Sequence, residues 1–242
     1  MKIPATFFIT LLTTSLMAAD VSPKEAVADA AKKLGEQSGY AWKQTITVPE
    51  SNQFKPGPSE GKFVQGGDTY FTFSFGDNTT KVYLKDGKAA VHDPRSGWRS
   101  SIDLENEEGP GRFISFLIQA FRTPSVQAAE LADGAKELKK EGDTISGDLT
   151  EAGARAQFRF GDVSNPKGSV KFWINEGQLA KFQFKLSGMA DFGGNEVDLA
   201  RETTVEIKDV NSTKIELPDE AKKILEPAKP SSAATTNAPA GN

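Results

Sequence analysis

The sequence predicts an α+β protein: one antiparallel sheet with helices gathered on one of its faces. Three observations carry this. Residues 168–218 read as three successive strands. Val170, Phe172 and Ile174 alternate with Lys171, Trp173 and Asn175. After a turn at Glu176-Gly177, Phe182, Phe184 and Leu186 alternate with Lys181, Gln183, Lys185 and Ser187. After a second turn at Phe192-Gly193-Gly194-Asn195, Val197, Leu199, Thr203, Val205 and Ile207 alternate with polar and charged residues. Period-two alternation between glycine-containing turns is the pattern of an antiparallel meander with one buried face. A second run of the same kind lies between residues 40 and 99. The helical patterns fall in clusters before and between the strand runs, which is the α+β arrangement.

In chain order, residues 1–19 read as a secretory signal peptide: Lys2, a short apolar run from Phe7 to Leu16, and Ala18-Ala19 before Asp20. The run is too short to span a bilayer, and no other apolar run is long enough. Ser22-Pro23-Lys24-Glu25 opens a helix with a capping box and a first-turn proline. Val27, Ala30, Ala31 and Leu34 form its apolar stripe, and Gly35 or Gly39 ends it. Tyr40, Trp42, Ile46 and Val48 then alternate with Lys43, Thr45 and Thr47. A polar loop with Pro56 and Pro58 leads to a short strand at 61–65. Phe71, Phe73 and Phe75 alternate with Tyr70, Thr72 and Ser74, and Gly76-Asp77-Asn78 turns into residues 80–85. Asp86-Gly87 is a strong hairpin signal before 88–92, and 97–99 follow a turn at Asp93-Pro94.

Residues 103–111 read as an acidic loop. Residues 112–122 form a helix that is apolar nearly all round, interrupted only by Ser115 and Gln119. Such a helix is expected to be buried on more than one side. Thr123-Pro124 starts a third helix to Gly134, residues 136–149 give two short strands around Gly142-Asp143, and Thr150 caps a helical turn. After the meander, 218–225 form a last short helix. Residues 227–242 are rich in Pro, Ala, Ser and Thr and cannot bury enough apolar surface to order themselves. The whole reads as about nine or ten strands and three or four helices, with no internal linker. The domain division is therefore 1–19, 20–226 and 227–242.

Composition excludes several functions. The net charge is −4, and the leader carries Lys2 and no acid, so the remainder is more negative still. An acidic chain without a basic run argues against nucleic acid and anionic membrane surfaces as partners. There is no Cys, hence no disulfide and no thiol for a lipid anchor. His92 is the one histidine, which rules out His-based triads and His-rich metal sites. Asp103, Glu105, Glu107 and Glu108 do not match the spacing of an EF-hand loop. Asp143, Asp148, Glu151 and Asp162 form no spacing that predicts a general acid and base, and Ser100-Ser101 lacks the surroundings of a nucleophile. No catalytic residue, metal or cofactor is predicted.

Several stretches together resemble one family. They are the early helix at 23–34, the hairpins at Asp77-Asn78 and Asp86-Gly87, and the apolar helix at 113–121. Phe172-Trp173-Ile174 followed by Glu176-Gly177 and Leu179 is another. The last is the ending Thr203-Thr204-Val205-Glu206-Ile207 with Ile215-Glu216-Leu217-Pro218-Asp219-Glu220-Ala221. Residues 22–226 resemble in this pattern the LolA-like family, periplasmic outer-membrane lipoprotein carriers and related mycobacterial lipid-binding lipoproteins. The resemblance implies a strongly curved antiparallel sheet forming an unclosed barrel. It also implies helices on the concave face and an apolar cavity between. The absence of Cys departs from the anchored relatives and implies the soluble carrier type. The soluble carriers hold their lid with a buried Arg, which maps to no particular position here.

Phe71, Phe73, Phe75, Phe182 and Phe184 are expected to face the helix that carries Phe113, Phe116, Leu117 and Phe121. This stripe reads either as an apolar pocket for acyl chains or as a filled core. Arg201 is in phase with Val197, Leu199, Thr203 and Val205. It reads as a headgroup or lid contact, or as an edge Arg reaching water, or as the mark of a register bulge. The function expected is a monomeric, periplasmic or secreted carrier for a lipid or an acylated protein, without turnover and in peripheral contact with membrane proteins. The alternative is an envelope protein-interaction module that uses the charged face of the sheet and binds no lipid.

Overall fold

The computed structural model describes residues 21–52, 55–76, 78–158, 162–191 and 193–226. The expected leader and the polar tail lie outside them. The chain begins with α1 (Pro23–Gly35), followed by β1 (Gly39–Thr47), β2 (Ser59–Val64), β3 (Thr69–Phe75), β4 (Asn78–Lys85), β5 (Lys88–Asp93) and β6 (Gly97–Ser100). Three helices come next: α2 (Ser101–Glu105), α3 (Pro110–Ala120) and α4 (Pro124–Asp133). Then follow β7 (Lys139–Glu141), β8 (Thr144–Asp148), α5 (Glu151–Ala156), β9 (Val163–Asn175), β10 (Gln178–Asp191), β11 (Glu196–Asp198), β12 (Arg201–Lys208) and α6 (Asp219–Leu225).

The described strands form one antiparallel sheet in the order β6-β5-β4-β3-β2-β1-β12-β10-β9-β8-β7, with β11 pairing β10 beside this path. β6 and β7 end the order without meeting, so the barrel is unclosed, as expected. Two meanders meet at its middle. There β1 joins β12 in a register running from Ala41↔Lys208 to Thr47↔Glu202. The hairpin turns Asp86-Gly87 and Glu176-Gly177 both hold positive φ at both positions, the geometry that matches strand twist. β9 and β10 are 13 and 14 residues long, and their pairing shifts register twice, at Leu179/Lys181 and Ser187/Met189. Such irregularities bend a strand and help the sheet to curve.

The inward residues of this sheet and the helices α1 to α5 make one continuous core. In α1 the capping box between Ser22 and Glu25 is formed. The buried residues Val27, Ala30, Ala31 and Leu34 are those of the predicted stripe. α6 departs from the expectation that the helices share the concave face. Ala221 and Leu225 pack with Tyr83 and Ala90 on the other side of the sheet, flanked by Tyr70 and Trp98. The consecutive apolar pairs Val82-Tyr83 and Ala90-Val91 explain this, because both faces of β4 and β5 are covered here.

Three further boundaries differ from the reading. The start of the acidic loop is helical. Ser100 and Asp103 form a capping box that launches α2, and Arg99 pairs with Glu107. The last strand of the meander is broken at Leu199-Ala200. Asp198 accepts the Ala200 N–H at 2.8 Å and turns the chain between β11 and β12. α3 begins at Pro110 and ends at Ala120, two residues earlier than expected at each end, with Phe121 already extended.

Candidate functional site

A cavity of about 360 Å³ lies between the concave face and α3. α3 makes it by carrying two apolar stripes. Gly111, Ile114, Ser115 and Ile118 follow the i, i+3, i+4, i+7 spacing and are buried in the core. Phe113, Phe116, Leu117 and Ala120 follow the same spacing two residues on, about 200° round the helix, and line the cavity. Phe116 and Leu117 are half-buried, and Phe113 is 45% exposed. The expectation of a helix buried on several sides is thus corrected: one stripe enters the core and the other faces a cavity.

The opposite wall comes from the sheet. Trp42, Gln44 and Ile46 project from β1, Phe71 and Phe73 from β3, Phe184 from β10 and Thr203 from β12. Phe121, released from the helix before Thr123-Pro124, bridges the two walls. Its ring lies 4.0 Å from that of Phe71 at an interplanar angle of 4°, and 6.0 Å from that of Trp42. The Trp42 indole passes over Gly61, where a Cβ would fall inside the ring system. Only glycine on β2 leaves room for that placement.

Of the residues expected from the sequence, Phe71, Phe73, Phe113, Phe116, Leu117, Phe121, Phe184 and Arg201 line this one cavity. Phe182 is not brought to it. It shares the face and phase of Phe184 but is fully buried beside Phe172 and Val205. The side chain of Phe75 lies outside what the structure describes. Trp42 and Ile46, inward residues of the first predicted strand, belong to the site as well. Gln44 shares their phase. Arg122, Gln127 and Gln157 also line the cavity, and no sequence pattern announces the last of these, which follows α5 in a loop.

Arg201 lies on the core face, because its cross-strand partner Leu186 is buried at 3% exposure. Its guanidinium donates to the Gln157 carbonyl at 3.1 Å and sits 4.9 Å from the centre of the Phe158 ring. Burial pushes its pKa down to about 10, so it remains charged at neutral pH. No carboxylate among the described residues stands within ion-pair distance of it. Arg122 is placed differently. Its Nε lies 3.5 Å from Glu130, and it donates to the carbonyls of Phe121 and Gln119 at 2.8 and 3.2 Å. The described lining contains neither Asp nor Glu.

The remaining polar candidates have structural positions. His92 packs on Trp98, with ring centres 5.0 Å apart. Ser100 and Asp103 cap α2, and Glu105 accepts from Gln119. Among the described residues, no group of three or more His, Cys, Asp or Glu is arranged to hold a metal ion, and no helix is long and apolar enough to cross a membrane.

No protein-family model matches the chain, and no curated protein matches it in sequence. Among solved structures it is similar to LprF from Mycobacterium bovis. That match has 10% identity and a TM-score of 0.45, over 82% of this chain and 97% of that one. It is also similar to the lipoprotein LppX from Mycobacterium tuberculosis, at 7% identity and a TM-score of 0.45 over 81% and 99% of the two chains. A DUF1329 family protein from Desulfovibrio piger ATCC 29098 matches at 13% identity and a TM-score of 0.32, over 85% and 98%. Likeness at this level carries no argument about ligand or activity. Both rest on the cavity.

Proposed function

We propose that this protein binds a lipid, or the acyl chain of an acylated protein, in the cavity beneath α3 and carries it without chemical change. One observation supports this most: the stripe of Phe113, Phe116, Leu117 and Ala120 faces the cavity instead of the core. Apolar surface left open to water costs about 25 cal/mol per Å². An acyl chain laid between this stripe and the wall of Trp42, Phe71 and Phe184 would cover it. The volume falls within the ~300–1,000 Å³ usual for small-molecule sites. The lining is aromatic and aliphatic with a few polar groups, the make-up that suits binding an amphiphile. Among the described lining residues there is no His, Cys or carboxylate. The leader expected at residues 1–19 and the resemblance to LolA-like carriers support a periplasmic or secreted location and a carrier role, with membrane proteins as transfer partners.

Native mass spectrometry of the gently purified protein tests this. The expected result is a co-purifying lipid. After its removal, the melting temperature should rise when long-chain lipid is added back. A clean mass for the chain alone, together with no melting shift, overturns the reading. Capture of a partner in the same lipid-free state would point to the interaction module.

A further inference from the structure

Among the described residues, Arg122 and Arg201 reach the cavity, and they differ in one respect. Arg122 faces Glu130 and the carbonyls at the end of α3. Arg201 has the Gln157 carbonyl and the face of Phe158, and no carboxylate among the described residues. One carbonyl engages one of the five N–H donors of a guanidinium. The chain holds 33 acidic residues against 29 basic ones, yet none of the acids stands in the described lining. In a chain that is acidic overall, the described lining thus carries cationic side chains and no acidic one. A cation removed from water without a counter-charge is costly to the fold. An anionic group entering with the ligand would supply the missing charge.

Building on the lipid-binding reading, we propose that the ligand is a long-chain fatty acid, its carboxylate paired with Arg201 and its chain lying along Phe121 and Phe116. Two features narrow the class. The planar guanidinium fork accepts a carboxylate through two parallel hydrogen bonds. The cavity volume lies near the lower end of the ~300–1,000 Å³ range, which suits one slim chain better than several. A phosphate head on a single chain presents the same anionic oxygens, so the test must separate the two.

The delipidated full-length protein is titrated calorimetrically with dodecanoate, dodecanol and dodecyl phosphate, three ligands sharing one chain. The expected result is dodecanoate binding at least about tenfold more tightly than dodecanol, the size expected of a charged hydrogen-bonded contact. Arg201→Met should erase that difference while dodecanol affinity stays as it was. The melting temperature of the unliganded variant should hold or rise, since the substitution removes a charge that no described carboxylate pairs. Equal binding of dodecanoate and dodecanol by the wild type overturns the inference and leaves lipid binding intact. Persistence of the preference in Arg201→Met overturns it as well. Tighter binding of dodecyl phosphate than of dodecanoate assigns the head to a phosphate and overturns the fatty-acid assignment. Failure of all three to bind overturns the lipid-binding reading itself. Should Arg201→Met fail to fold, the wild-type ratio of dodecanoate to dodecanol decides alone.

Discussion

The sheet carries its helices in two different ways. Over β9 and β10, α1 and α4 pack together. Val27, Ala30, Ala31, Leu34, Ala128, Leu131 and Ala132 are at most 1% exposed. Over β1 and β3, α3 approaches α2 more closely than it approaches any strand, and a cavity lies beneath it. The difference follows side-chain size. Alanines on α1 and α4 let backbones come close and fill the contact completely. Phe113, Phe116 and Leu117 on α3 line the cavity instead, and only Phe121, just past its end, stacks on Phe71. α3 thus turns larger apolar residues to the cavity than the alanines that α1 and α4 bury. Greater hydrophobicity here produces a cavity, because the bulk is spread over two stripes and the core takes only one.

The largest expected effect lies in the closed half. Leu131→Ala should destabilise the protein by about 2–5 kcal/mol, the cost of deleting a fully buried side chain, and long-chain lipid should restore none of it. Thermal melts with and without lipid check this. A ligand-dependent recovery would mean that the two halves are not separate in function.

Next in size is Gly61→Ala. Its Cβ would collide with the Trp42 indole, forcing the ring out of the cavity wall. Overpacking of this kind costs about 1–3 kcal/mol. Denaturant titration should show the loss, and Trp42 should become accessible to a soluble quencher. Unchanged quenching would mean that the indole has another place to sit.

Phe116→Ala should cost less than Leu131→Ala, roughly 1–2 kcal/mol, because the ring is only half-buried at the start. Lipid should recover part of the loss, since a chain can occupy the space the ring leaves. A loss as large as that of Leu131→Ala, with no recovery, would make the open half a packed core after all.

The smallest effect is acid sensitivity. Hydrogen bonds from Ser100 hold the Asp103 carboxyl below its ordinary value of 3.8. At Asp93, burial pushes upward but is outweighed by bonds from the Arg95 N–H and from Ser96. In the closed half, Ser22 lowers Glu25 in the same way. A carboxyl depressed by folding contributes stability that is present above its unfolded pKa and lost as pH falls through the folded one. Stability should therefore decline below about pH 4. Amide protection factors in α2, which Asp103 caps, taken against the intrinsic exchange rate at each pH, should fall with that decline. Protection factors in α2 that stay constant down to about pH 2 would show that its cap carries no weight.

Much of the fold was legible because its signals are local. The Ser22–Glu25 box, the turns at Asp86-Gly87 and Glu176-Gly177, and the alternation through β9 and β10 each involve residues a few positions apart. α2 was missed although Ser100 and Asp103 have capping-box spacing, because Gly109 and Pro110 soon afterwards read as loop. The break at Asp198 was missed because alternation continues through it in sequence, while its carboxylate turns the backbone in space. The site was half legible. The phase of each strand told which side chains point inward, and it told no more than that.

Phe182 and Phe184 mark where the sequence stops. They lie two positions apart on one strand, on one face, with the same side chain, yet one is sealed in the core and the other lines the cavity. Composition and periodicity determined an antiparallel sheet with an apolar inner face, a helix too apolar for one contact, and an Arg among the inward residues. Only the tertiary structure decided that β1 and β12 join the two meanders and that α3 stands away over one half. It alone decided that Arg201 faces a wall which none of the described acidic side chains lines. Periodicity is written in neighbouring residues, whereas a cavity and the surroundings of an inward charge depend on what distant residues leave uncovered.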